Sequence, residues 1–93
     1  MSDAIKRTLR IVAFQSNDAW IAQCIEYDVC AQGSDVAQAM RRIKVALDAE
    51  AEFTRVNHGK EFAGIDAAPD FYEAMFEESE ASLTSDMDFR IAA

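Results

Sequence analysis

The spacing of apolar residues changes period at Gly33-Ser34-Asp35, and few small folds accommodate that change. From Ala19 to Tyr27 the apolar side chains fall on both parities, with Trp20, Ala22 and Cys24 on one face and Ile21, Ile25 and Tyr27 on the other. Residues two apart share a face in a strand, so this stretch reads as a strand at least partly covered on both sides. From Val36 the spacing is helical. Val36, Met40, Ile43, Leu47 and Ala51 recur at intervals of three or four, and Arg41, Arg42, Lys44, Asp48 and Glu52 take the other side. Asp35 and Gln38 have capping-box spacing, and Gly33 stands where a strand must turn sharply into a helix.

Around that switch the remaining elements follow in order. Thr8 to Phe14 alternates and predicts a first strand, and Ser16-Asn17-Asp18 supplies a turn because Asn and Asp tolerate positive φ. The second strand runs from Ala19 to about Glu26. Tyr27-Asp28 closes a hairpin, and a short third strand covers Val29 to Gln32. The long helix is expected over about 35–56, with Gly59 as its left-handed C-cap. A loop anchored by Phe62 and Ile65 leads to Pro69, placed at the first position of a second, shorter helix whose stripe is Phe71, Tyr72, Met75 and Phe76. Residues 87–92 show weak strand alternation and leave a fourth strand open, while residues 1–7 read as a frayed end. The expected fold is therefore α+β: a three-stranded antiparallel meander with one long helix on it and a shorter C-terminal helix. Its expected core is Leu9, Ile11, Trp20, Ile25, Val36, Met40, Ile43 and Leu47.

Ninety-three residues make one domain over 1–93, with a core over 8–56 and an acidic helix and tail over 61–93. No apolar run is long enough to span a membrane, and the N-terminus lacks the apolar region of a signal peptide. Two cysteines, Cys24 and Cys30, are too few for a disulfide framework, so a cytoplasmic, reduced protein is expected. The net charge of −8 is unevenly spread: residues 1–60 balance eight basic against eight acidic side chains, while residues 61–93 set nine acids against Arg90 alone. Such a segment repels nucleic-acid phosphates and attracts a basic partner.

No enzyme emerges, and no catalytic, cofactor-binding or metal-ligating residue is assigned. His58, the single histidine, sits in a Gly-flanked turn with no nucleophile and acid grouped around it. Cys24 and Cys30 lack the spacing of a zinc knuckle, and Gly33, Gly59 and Gly64 are too scattered for a phosphate loop. Arg41, Arg42 and Lys44 form the one compact basic group, which reads as a solvated helix face and is too narrow for a nucleic-acid footprint. DNA binding is not expected. A homodimer is, because a small sheet leaves edges exposed and the aromatic stripe of the second helix exceeds what that helix needs to cover.

The run from Trp20 to Glu50 resembles the HicB family, the antitoxin half of HicA/HicB toxin–antitoxin pairs. Trp20, Ala22, Glu26, Cys30, Gly33, Asp35, Gln38 and Ala39 stand in the places of that family's pattern, and the resemblance covers about residues 8–53. The family's usual Leu-Pro-Gly turn is Tyr27-Asp28-Val29 here, and its usual Glu pair at the helix start is Ala37-Gln38. The resemblance implies a β-β-β-α-β order, a truncated RNase H-like sheet without that enzyme's acidic site. Many family members carry a C-terminal DNA-binding module, for which residues 61–93 are too short and too acidic. It further implies an antitoxin that occludes a small basic HicA-like ribonuclease toxin by protein–protein contact. The surface expected to do so is Glu73, Glu77, Glu78 and Glu80 with Phe71, Tyr72 and Phe76 as apolar anchors. The alternative is a stand-alone HicB-like regulatory or small-ligand-binding dimer with no toxin partner.

Overall fold

The computed structural model describes residues 8–79, 81–83 and 87–92. Five strands and two helices follow in the order β1 (Arg10–Ser16), β2 (Ala19–Cys24), β3 (Cys30–Gly33), α1 (Val36–His58), α2 (Asp70–Glu78), β4 (Ala81–Leu83) and β5 (Asp88–Ile91). They form one mixed sheet of order β3-β2-β1-β5-β4. The expected meander is present: β1 pairs antiparallel with β2, and β2 with β3. Asn17 carries the positive φ of the first hairpin, as its turn chemistry requires. The expected frayed end over residues 1–7 lies outside the described residues.

Two strands enlarge the expected sheet. β5 lies parallel to β1, setting Ile11 beside Phe89 and Val12 beside Arg90, and β4 returns antiparallel along β5. The alternation over residues 87–92 is thus a strand, while Ala81-Ser82-Leu83 carries too short a pattern to be read beforehand.

Strand alternation gives the sheet two faces, and each receives one helix. Ile11, Ala13, Ala22, Cys24 and Phe89 meet Ala39, Ile43 and Leu47 of α1. Val12 and Ile25 meet Phe76 of α2 on the other side. Half of the expected core is central: Ile11, Ile25, Ile43 and Leu47 are buried. Leu9, Trp20, Val36 and Met40 are instead half-buried side chains around the rim of the α1 cluster. Ala13, Ala22, Cys24 and Ala39 share the centre with Ile11, Ile43, Leu47 and Phe89, because a helix can approach a sheet closely only where some side chains are short.

Gly33 shows the same constraint. A Cβ added there would lie 2.5 Å from the backbone N of Ala39 and 3.0 Å from its Cα. Its backbone is not left-handed, so its role is this close approach and not the strained turn expected from the sequence. The cap forms at Asp35 as the spacing predicts, but the return bond goes one residue earlier than a capping box requires. Asp35 accepts from the Gln38 N–H at 2.8 Å, and the Gln38 side-chain oxygen accepts from the Ser34 N–H at 2.7 Å. At the other end Gly59, at φ 80°, ends α1 and donates to the Arg55 carbonyl at 2.9 Å.

The loop between the helices is tied to α1 and to the β2–β3 turn. The buried Thr54 hydroxyl donates to the Glu50 carbonyl at 2.8 Å and accepts from the Phe62 N–H at 2.6 Å. The Phe62 ring stacks on Tyr27 with centroids 4.0 Å apart, and the Asp28 N–H donates to the Asp66 carbonyl at 2.7 Å. The chain thereby crosses the β2–β3 turn and reaches the second face, where the Ala68 N–H donates to the Ile25 carbonyl and α2 begins. Pro69 is the N-cap of α2, one place before the position expected for it.

Candidate partner-binding surface

What α2 presents to solvent is decided by how its acids meet the sheet. Arg10 and Arg90 project from adjacent strands on the α2 side, since Arg10 pairs with Asp88 and Val12 with Arg90 across the β1–β5 ladder. The Arg90 guanidinium lies 4.4 Å from the Phe76 ring centroid and that of Arg10 5.7 Å from it. Phe76 fills the space between them and Val12 and is 2% exposed.

Arg10 is the electrostatic centre of this face. Its side-chain Nε donates to one oxygen of Glu26, and its backbone N–H donates to the other at 2.9 Å. Its Nη1 reaches Glu73 at 3.0 Å and Glu77 at 3.8 Å, two carboxylates one helical turn apart. The bond to Glu26 is the chief influence raising the Arg10 pKa above its ordinary value; burial works against it. A guanidinium suits this place because its several donors fan out in one plane towards separate acceptors.

The expected partner-binding residues are therefore divided. Phe76 is an internal anchor, and Glu73 and Glu77 engage Arg10 of their own chain. Tyr72 is half-buried, with its ring 5.8 Å from that of Phe14 and 4.0 Å from that of Phe71. Phe71, at 58% exposure, and Glu78 face solvent, while Glu80 lies outside the described residues. The aromatic stripe that suggested a homodimer is mostly used on the chain's own sheet.

The sequence held a signal for Arg10, a charge that shares its strand parity with Val12, and Glu73 and Glu77 have the spacing to meet such a charge together; Arg90 reaches that face only through the β1–β5 register. The cysteines make no bond to each other: Cys24 is buried and Cys30 exposed. In the basic group of α1, the Arg42 guanidinium donates to the Gln32 carbonyl at 2.9 Å, which ties it to the edge strand β3. Among the described residues no cluster of His, Cys, Asp and Glu is arranged to hold a metal, and no helix is long and apolar enough to cross a membrane. No family model, curated protein or solved structure matches this chain.

Proposed function

We propose that this protein is a HicB-like antitoxin or antitoxin-related protein, which acts by binding and occluding a small basic ribonuclease toxin through the α2 side of its sheet. The observation that carries the reading is the surface of α2. It bears Asp70, Glu73, Glu77 and Glu78 and no basic residue, and it adds an exposed Phe71 packed beside Tyr72. Acidic charge of this kind speeds encounter with a basic partner, and an exposed aromatic beside a half-buried one supplies most of the affinity. The element order gives partial support: three antiparallel strands, a long helix and a last strand that returns to the same sheet follow in the implied order, with α2 and β4 as additional elements before that last strand. Glu73 and Glu77 enter this reading in a new role. Because Arg10 draws on both, they hold α2 in place, and among the described residues Phe71, Tyr72 and Glu78, with Asp70 beside them, are left to meet the partner.

The test is growth rescue. A small basic open reading frame is sought beside this gene, and its product is expressed to toxic level with and without the present chain; absence of any such reading frame counts against the antitoxin reading. Rescue is expected from the natural sequence and is lost in Phe71→Asp with Glu78→Lys, a variant whose circular dichroism should be unchanged. If the natural chain does not rescue growth, the antitoxin reading fails and the stand-alone regulatory or ligand-binding dimer replaces it.

A further inference from the structure

Three of the four large apolar residues that stand exposed among the described ones lie on the outward side of α1. Val45 is 69% exposed, Phe53 58% and Val56 64%, and Ala49 is exposed between them. Their spacing of four, four and three places them in one row along the helix, roughly opposite the buried Ala39, Ile43, Leu47 and Thr54. An amphipathic helix lying on a single sheet needs one apolar stripe, and this one has two. The second is not an extension of the core. Phe53 has His58 of the same helix as its ring neighbour, with centroids 6.5 Å apart.

The charges beside this row are divided along the helix. Arg41, Arg42 and Lys44 lie in the N-terminal half, and Asp48, Glu50 and Glu52 follow them. A helix with an apolar row, a small residue at its middle, and a basic stretch (Arg41, Arg42, Lys44) followed by an acidic one (Asp48, Glu50, Glu52) before the closing Arg55 and His58 is complementary over its central turns to a copy of itself running the other way. With a two-fold axis at the level between Val45 and Ala49, Val45 of each copy meets Ala49 of the other. Arg41 then comes opposite Glu52, a carboxylate that Arg55 of its own helix already holds at 2.8 Å and that would be shared between the two, and Phe53 lies along the stems of Arg41 and Arg42.

The distribution of charge over the whole fold favours this side. The acidic α2 covers the opposite face of the sheet from α1, whereas α1 itself carries Arg41, Arg42, Lys44 and Arg55 against Asp48, Glu50 and Glu52. Two copies meeting through α1 point their acidic helices away from each other; any approach through α2 brings them together. The helix is also long enough. Its 23 residues extend about 34 Å, against about 23 Å for the seven residues of β1, so the helix is longer than the strand at the centre of the sheet.

We propose that the outer face of α1 is a self-association surface, on which a second copy of this chain docks antiparallel through Val45, Ala49, Phe53 and Val56 with Arg41 set against Glu52. This surface lies on the opposite side of the sheet from the proposed toxin-binding face and does not depend on it.

Sedimentation velocity of the full chain over the micromolar range tests it. The expected species has twice the chain mass of 10.3 kDa. Val45→Asp with Phe53→Asp changes only exposed positions and should raise the dimer Kd by at least about tenfold, because each carboxylate would be buried unpaired, while helix content is kept. Phe71→Asp, on the other side of the sheet, should leave the dimer intact. Arg41→Glu should weaken association, and adding Glu52→Arg should restore it. A monomer at every concentration overturns the proposal, and so does a dimer indifferent to Val45→Asp with Phe53→Asp.

Discussion

On the α1 side of the sheet Ala13, Ala22, Ala39 and Gly33 let backbones come close, whereas the α2 side is held by one aromatic ring and two arginines. The first kind of packing is spread over many positions, with small residues interleaved among Ile11, Ile43, Leu47 and Phe89, and resists added volume. The second is concentrated in Phe76 and Arg10 and resists removal. Both faces bury apolar area, but they fail in different ways. A helix attached through a few strong points can also be detached as a unit, as regions of low local stability are.

The sharpest way to break the comparison is to empty the α2 side. Phe76→Ala removes the one fully buried side chain that the helix contributes to that cluster, beside half-buried Tyr72 and Met75, and should cost about 3–5 kcal/mol. Amide hydrogen exchange should show α2 losing protection while Ile43 and Leu47 keep theirs. Equal loss on both faces would mean that the two sides are one cooperative unit.

Adding volume on the α1 side comes next. Gly33→Ala brings a methyl against the Ala39 backbone, which cannot move aside as the end of a side chain can. A loss of about 1–3 kcal/mol is expected from denaturant unfolding. By contrast, Gly64→Ala meets nothing within 4 Å and pays only for its positive φ, so the two glycines separate close approach from backbone strain.

Arg10→Met keeps the apolar stem and removes the charge. Glu26 then loses its side-chain partner while half-buried, and Glu73 and Glu77 repel each other without a cation between them. The cost should be about 1–2 kcal/mol, modest because the helix carboxylates stay in contact with water. In the natural chain raised salt should weaken the α2 attachment more than the α1 face, which thermal unfolding followed by probes on each helix would show.

The smallest effect concerns pH and belongs to the α1 side. Burial is the main cause that pushes the Cys24 thiol above its ordinary range. The unfolded chain ionises this thiol near pH 8.5 and the folded chain only higher, so the contribution is complete below about pH 8.5 and is lost as pH rises towards the folded value. Urea midpoints measured upward from neutral pH should therefore fall more steeply for the natural chain than for Cys24→Ala. Parallel curves would remove Cys24 from the account.

The meander, the long helix, its Asp35 cap and its Gly59 stop were legible in the sequence because each is a pattern within a few residues. The second helix was legible for the same reason, through Pro69 and the stripe beginning at Phe71. The candidate surface was legible only as composition: the acids and aromatics of residues 70–78 were evident, but which of them face solvent was not. That depended on Arg10, which meets Glu73 and Glu77 only once α2 lies across β1. Likewise β5 joins β1 from the far end of the chain, and no local window records which strand a weakly alternating segment will pair with. Gly33 shows the division in one residue. The sequence placed it correctly between strand and helix, but the reason for it is the approach of the Ala39 backbone, a contact that exists only after the helix has docked. Periodicity determines which elements form and which of their faces are apolar. The partners of charged and small residues are set by where those elements come to rest, because ion pairs and close approaches depend on distances between segments that the chain order does not encode.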